Sequence, residues 1–504
     1  MKKHLLILTL LIASTGLFAQ TAHLEQAVAR ASSSSALPYI VGEMNNETYV
    51  FATDIPFKTG VPGMLIPRHA NLKKFDADLK QVFSKDILMP AADYFLHVTL
   101  NDKIYLIGVK SINKSCIASI YSLSKDGEIK LEKELGTIND NPFAKQARFA
   151  VSVSADNSKC MLIGSGYWAN ANAAGPIPEG NGSFFVAVYD ANLNLIGSAI
   201  QETKDNWADF KVLDYSVLNN TNAYIAVTNN VISSDTKTKS NLHLYYFNAK
   251  ANNMKEQAIA LQDGQFAQSG KLFVQENGSV QICGFTTKNP KSWSDVTATI
   301  SGVYSVFIEI PNAEPKINTA TSFSDSLRNA VNGKNKVKDK KEIPASNNIS
   351  AFLVGKDVFL VTREENSTTD TSSFQIKKEG IRVYSVSGAG KINWINTLSS
   401  WASADMNVNY MHASPIIAKQ PGSLLFVYSD GVKTEKNWKD IYKSSILCKE
   451  VFTDGTTKQK TLFDNAKSDA ALITLSYATM GLKDGLKVLL VGQNVFRPAY
   501  IRFH

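Results

Sequence analysis

The chain has 504 residues, 44% hydrophobic, 10% aromatic and 19% charged, with 53 Lys and Arg against 45 Asp and Glu and a formal net charge of +8. This apolar content excludes a disordered chain, and 29 Gly in a chain of this length excludes a collagen-like repeat. A charged share below the usual ~25%, with abundant Asn, Ser and Thr, suits an extracellular all-β surface rather than a helix-rich cytosolic protein.

Residues 1–19 place Lys2 and Lys3 before the apolar run Leu5–Ile12 and end at Leu17, Phe18 and Ala19, the pattern of a cleaved signal peptide. The run is shorter than the ~20 residues a spanning helix needs, so a membrane span is not expected. Export to the periplasm or the medium follows. Residues 20–36 form an N-terminal segment, and 37–504 read as one domain.

Two hairpin types alternate along that domain. The first joins strands A and B through short polar turns at Asn45-Asn46, Asn101-Asp102, Asp156-Asn157, Asn219-Asn220, Asn277-Gly278, Lys356-Asp357, Pro421-Gly422 and Asp484-Gly485. Its B strands, such as Tyr49–Ala52, Ile104–Val109 and Leu424–Tyr428, are continuously apolar, as strands buried on both faces require. The second type joins strands C and D around an aromatic or apolar residue and a polar turn, as at Phe75–Leu79, Tyr121–Gly127, Tyr189–Leu195, Tyr384–Gly390 and Phe452–Gly455. The A-B turns recur with a mean period of about 63 residues, too long for a solenoid and too poor in helical pattern for an α/β fold. A radial β-propeller of about eight four-stranded blades, with seven as the alternative, uses so many strands without long open edges.

There are eight A-B hairpins but only seven C-D hairpins. The last repeat, which ends in a strand near Ala499–Phe503, therefore lacks an outer strand, and His23–Arg30 is the candidate to supply it and close the ring. The pattern resembles secreted bacterial β-propellers over nearly the whole chain, without the signature of any named blade family. Tyr384–Trp394 is similar to the repeat of pyrroloquinoline-quinone propellers, but the other C-D hairpins lack its Trp, so no cofactor is expected.

In such a ring the A-B and C-D turns share one face, and the B-C and D-A connections share the other. The B-C connections are the long ones: Thr53–Asn71, Ser165–Ser183, Thr228–Asn241, Thr286–Gly302, Arg363–Gly380 and Ser429–Ser444. Long loops in a compact domain are disproportionately functional. Trp168, Trp293 and Trp438 fall in B-C connections and Trp207 and Trp401 in D-A connections, whereas Trp394 alone falls in a strand. Aromatics there stack on sugar rings or fill a partner's pocket. The segment Gly164–Pro176 adds Tyr167 and Asn170 among small residues that allow close approach of a ligand. Asp205 and Asp209 flank Trp207, while Asp263, Asp405 and Asp430 occupy related connections and offer carboxylates for an acid-base pair.

The expected function is binding of a glycan or a protein partner, by a monomer, through this face. The alternative is a polysaccharide hydrolase or lyase using the acidic residues of the same funnel, and a purely structural envelope component is a third reading. No nucleophile elbow, zinc-protease motif or phosphate loop is present. Cys116, Cys160, Cys283 and Cys448 are far apart, lack metal-ligand spacing and read as buried thiols. His97 and His243 lie in strand-like runs and read as packed residues. An insertion at 322–346 combines a short helix near Ser326–Val331 with Lys334, Lys336, Lys338, Lys340 and Lys341, which lack the interleaved aromatics of a nucleic-acid groove.

Overall fold

The computed structural model describes residues 22–24, 28–29, 37–53, 69–112, 115–138, 148–165, 181–206, 210–229, 242–261, 265–288, 299–311, 313–331, 343–344, 349–370, 373–405, 415–430, 445–464, 473–482, 485–491 and 495–502. Two short N-terminal strands, β1 (Ala22–Leu24) and β2 (Val28–Ala29), precede the first blade. That blade is β3 (Leu37–Met44), β4 (Glu47–Thr53), β5 (His69–Phe75) and β6 (Gln81–Leu88). The second is β7 (Tyr94–Leu100), β8 (Lys103–Ile112), β9 (Ser115–Leu123) and β10 (Ile129–Ile138). The third is β11 (Arg148–Val153), β12 (Lys159–Ser165), β13 (Asn181–Asp190) and β14 (Leu195–Asn206). The fourth is β15 (Phe210–Val217), β16 (Asn222–Asn229), β17 (Leu242–Asn248) and β18 (Asn253–Ile259).

In the fifth blade the innermost strand is split into β19 (Gln265–Ala267) and β20 (Lys271–Val274), followed by β21 (Val280–Lys288). A short β22 (Thr299–Ile300) precedes its remaining strands β23 (Gly302–Ile308) and β24 (Ile317–Ser322). A helix, α1 (Asp325–Val331), and β25 (Ile343–Pro344) follow, and β25 pairs with β22 as a two-stranded ribbon. The sixth blade is β26 (Ile349–Val354), β27 (Asp357–Asp370), β28 (Ser373–Ser387) and β29 (Ile392–Asp405). The seventh is β30 (Ile416–Gln420), β31 (Ser423–Asp430), β32 (Ser445–Phe452) and β33 (Thr457–Asp464), and the chain ends with β34 (Ile473–Leu482), β35 (Gly485–Val491) and β36 (Val495–Arg502).

Among the described residues these strands form eight antiparallel sheets of four or five strands, besides the β22-β25 ribbon. Seven are built from neighbouring strands in sequence, the fifth blade passing over β22. The last is composite: β34, β35 and β36 come from the C-terminal end, and β1 and β2 both pair with β36. The missing outer strand is thus supplied by the N-terminal segment, at Ala22–Leu24 and Val28–Ala29, the region expected at His23–Arg30. The innermost strands touch in sequence, β3 to β7, β7 to β11, β11 to β15, β15 to β20, β20 to β26, β26 to β30, β30 to β34 and β34 back to β3, which makes the arrangement a ring.

The core is a series of seams between successive sheets. Tyr49, Phe51, Leu72, Phe95 and Leu106 join the first and second blades, and Phe285, Val303, Leu360 and Tyr384 join the fifth and sixth. Each central strand contributes to the seam on either side, so Tyr49, Val50 and Phe51 are all fully buried. That explains the continuous apolar runs of the B strands. At about 1.5–3 kcal/mol for each large side chain buried, these seams supply the main favourable term. Where the composite sheet meets the first blade the seam is partly polar: Lys487 Nζ donates to Glu43 Oε2 at 2.9 Å and to Thr48 Oγ1 at 2.9 Å.

Turn chemistry follows from backbone geometry. Asn45 and Asn46 have φ of 51° and 63°, and Asn101 and Asp102 have 43° and 58°, the left-handed pair that a two-residue hairpin loop needs. In the C-D turns a side chain closes the loop. Asp76 Oδ1 accepts from the N–H groups of Asp78 and Lys80 at 3.0 and 2.9 Å, and Asp190 Oδ1 accepts from Asn192 and Asn194 at 2.9 and 2.8 Å.

Cys116, Cys160, Cys283 and Cys448 are free and buried. Burial pushes the Cys160, Cys283 and Cys448 thiols up to about 12. We expect a thiol reagent such as Ellman's to leave the native protein unmodified at pH 8 and to titrate all four thiols once it is denatured. Rapid modification of the folded chain would contradict this packing.

Candidate functional site: the loop face of the ring

One face of the ring is sealed by its own hairpins. Tyr49 Oη donates to Lys125 O at 3.2 Å, tying the first blade to the C-D turn of the second. Asp156 N donates to Asn219 Oδ1 at 3.2 Å, Trp394 Nε1 to Thr453 O at 2.8 Å, and Asn396 Nδ2 to Gly455 O at 2.9 Å, each reaching the next blade's turn. Thr319 Oγ1 and Thr321 Oγ1 donate to Ala389 O and Gly390 O at 2.8 and 3.0 Å. Asp156 also caps its own turn, accepting from Ser158 N at 2.9 Å and Ser154 Oγ at 2.6 Å, and these hydrogen bonds hold its carboxyl down at about 2. Turns that spend their polar groups on neighbours have few left for a ligand.

The longer intervals between described strands join the second and third strands of several blades. Residues 54–68 separate β4 from β5, 166–180 separate β12 from β13, 230–241 separate β16 from β17, and 431–444 separate β31 from β32. Tyr167, Trp168, Asn170 and Trp438 lie in these segments, Trp293 between β21 and β22, and Trp207 and Asp209 in the three residues between β14 and β15, all outside the described residues. Asp205 lies within β14.

Two expectations are corrected here. Trp401 is not in a D-A connection but within β29, where its backbone pairs with Glu379. Arg363–Gly380 is not a loop either: β27 and β28 remain paired up to Asp370 and Ser373 and make a hairpin that continues the sixth blade. With β29 alongside, the blade extends as a three-stranded ribbon. The sequence signal for it was the Asp-Thr-Ser-Ser turn at 370–373 between two stretches of strand length. It was obscured because 363–370 is polar throughout and 373–380 has apolar residues only at Phe374 and Ile376, too short an alternation to stand out as a strand.

Three polar contacts tie strands together near the ring's interior and on the fourth blade. Asp214 Oδ1 lies 3.2 Å from Lys271 Nζ, and Asp214 Oδ2 accepts from Leu272 N at 2.9 Å, bridging the fourth and fifth blades. Tyr39 Oη and His97 Nδ1 are hydrogen-bonded between the first and second blades, and burial raises the Tyr39 phenol well above its ordinary range. His243 Nδ1 lies 2.7 Å from Glu256 Oε1. Both histidines are packed within strands, as expected. Among the described residues no three His, Cys, Asp or Glu converge as a metal site, and no helix is long and apolar enough to cross a membrane.

No family model and no curated protein matches the chain. Among solved structures, it is similar to an acylaminoacyl peptidase from Pyrococcus horikoshii, with 9% identity and a TM-score of 0.36 over 92% of this chain and 59% of that one. A polysaccharide lyase gives 9% identity and a TM-score of 0.36 over 95% of this chain and 100% of that one. A puromycin hydrolase gives 8% identity and a TM-score of 0.29 over 77% of this chain and 58% of that one. The chain therefore spans less than two thirds of the peptidase and of the puromycin hydrolase.

Proposed function

We propose that the protein is an exported β-propeller that binds a glycan on the face carrying its long connections. The observation that supports this reading is the asymmetry of the ring. One face is closed by short turns hydrogen-bonded to their neighbours, as at Tyr49–Lys125 and Trp394–Thr453. The second and third strands of several blades are instead joined through long intervals, and the sequence of one of them supplies Tyr167, Trp168 and Asn170, aromatic and amide side chains suited to a sugar. A flat indole against the C–H face of a sugar, with amides for its hydroxyls, is chemistry suited to a pyranose.

The test is intrinsic Trp fluorescence of the full chain titrated with soluble polysaccharides, repeated with Trp168→Ala and Trp207→Ala. A saturable shift with one glycan class, reduced about tenfold or more in apparent affinity by at least one substitution, is the expected result. No response to any glycan would overturn the glycan reading and leave a protein as the ligand class for the same face.

A further inference from the structure

The two outer strands of the first blade carry a network of four polar side chains. Lys73 on β5 is only 6% exposed. In the ladder it lies between Val50, which is fully buried, and Ser84 on β6. Lys73 Nζ donates to Ser84 Oγ at 3.0 Å. Among the described residues that hydroxyl is its only hydrogen-bond partner, and no carboxylate lies within ion-pair distance. A lysine this buried is ordinarily matched by an anion, because desolvation penalises its charge. Here the partner is a neutral hydroxyl. Burial accordingly lowers the Lys73 ammonium below the usual lysine range, and the charge of Asp86 opposes that shift in part.

The network is fixed from its far end. Ser84 Oγ donates to Asn71 Oδ1 at 3.1 Å, and Asn71 Nδ2 donates to Asp86 Oδ1 at 3.0 Å. Asn71 lies opposite Asp86, two residues along from the pair Lys73 and Ser84, so all four side chains share one face of the sheet. The serine thus stands between an amide oriented by a carboxylate and an amine that burial drives toward its neutral form. Ser84 itself is exposed. An accessible hydroxyl hydrogen-bonded to a buried amine is the arrangement in which a lysine serves as general base to a serine.

We propose that Ser84 and Lys73 form a nucleophile–base pair that takes an acyl group from a carboxylic ester, an activity separate from glycan binding. With Lys73 neutral, the hydroxyl proton turns from Asn71 Oδ1 to Lys73 Nζ. Ser84 Oγ then bonds to the ester carbonyl carbon as that proton passes to Nζ. Collapse of the tetrahedral adduct breaks the bond to the leaving oxygen, which takes the proton from Lys73 and departs as the alcohol. Water repeats the sequence on the acyl group, releasing the carboxylic acid and restoring both side chains. An ester suits a two-residue pair, because its leaving oxygen departs with less help than an amide nitrogen.

The experiment is reaction of the full chain at pH 8 with a fluorophosphonate, in which Ser84 Oγ bonds to phosphorus, fluoride leaves and Lys73 takes the proton. Peptide mass spectrometry then locates the adduct, which we expect on Ser84. Ser84→Ala should remove it. Lys73→Arg keeps a charged donor beside Ser84 but cannot act as a base, and should slow labelling about 100-fold or more. A merely structural role for Lys73 would leave that rate unchanged. Should Lys73→Arg lower the melting temperature, Lys73→Met, whose stem fills the same buried space, carries the comparison. Release of p-nitrophenolate from p-nitrophenyl acetate should follow the same order, with an acetyl group found on Ser84. Absence of any adduct on Ser84, or equal labelling of Ser84 in the lysine variants, would overturn the pair. Neither outcome involves a polysaccharide, so the glycan reading stands or falls on its own titration.

Discussion

A chain that begins at Leu37 is expected to lose on the order of 2–5 kcal/mol of stability, at 0.5–1.5 kcal/mol for each net hydrogen bond forfeited. Without β1 and β2, the outer edge of β36 loses the partners that pair with it at Ala499, Tyr500 and Ile501 and at Val495 and Phe496. Its N–H and C=O groups then form an open edge, and open edges recruit other chains. Two readouts follow: a lower thermal midpoint, and concentration-dependent association by light scattering. A truncated protein that melts with the full chain and stays at the same molecular mass would show that the closing pairing contributes little. Lys487 offers an internal control, because its bonds to Glu43 and Thr48 join the composite sheet to the first blade independently of β1 and β2.

Gly284→Ala should destabilise the protein by about 3 kcal/mol, at the upper end of the cost of overpacking a core. A Cβ at Gly284 would lie 2.0 Å from Ser269 O and 2.7 Å from the Cα of Gly270, and both obstacles are backbone. The innermost strand of the fifth blade is broken there, between β19 and β20. Gln268 N and Ser269 N both donate to Phe285 O, at 2.9 and 3.4 Å, so the chain bulges toward Gly284. The neighbouring Gly270 is crowded as well, since a Cβ on it would lie 2.2 Å from Tyr304 Oη. Urea denaturation measures the effect directly, as a lower midpoint with an unchanged slope. A change below about 0.5 kcal/mol would mean that the β19–β20 segment yields without cost, contrary to its packing.

Much of the architecture was legible in the sequence because it depends on local rules. Asn45-Asn46 and Asn101-Asp102 are left-handed hairpin turns, and few residue types adopt that conformation, so their recurrence exposed the repeat. The unequal numbers of A-B and C-D hairpins pointed to the composite sheet. The short helix near Ser326 was legible from its own pattern and forms as α1, with Ser324 Oγ accepting from Leu327 N at 3.2 Å at its start. What escaped depends on residues distant in sequence. Leu79 and Leu193 adopt φ of 61° and 65°, unusual for leucine, in turns where both side chains are buried. The ribbon of the sixth blade escaped because one of its strands is polar throughout and the other alternates only over Phe374 and Ile376. With it went the adjacency of Glu379 to Trp401, which only strand register reveals.

The composite sheet also imposes an order of events on the newly made chain. Each of the seven consecutive blades can form its hairpins as soon as its own segment is available, but among the described residues β1 and β2 pair with β36, more than 460 residues further along. At roughly 5–20 residues per second of synthesis, the earliest strands wait about half a minute to a minute and a half for their partner. Throughout that interval the growing arc has two unjoined ends, and the final pairing converts it into a ring in one step. Synthesis of Val495–Arg502 is thereby the event that permits closure, and a chain interrupted before Val495 leaves β1 and β2 without the strand they pair with.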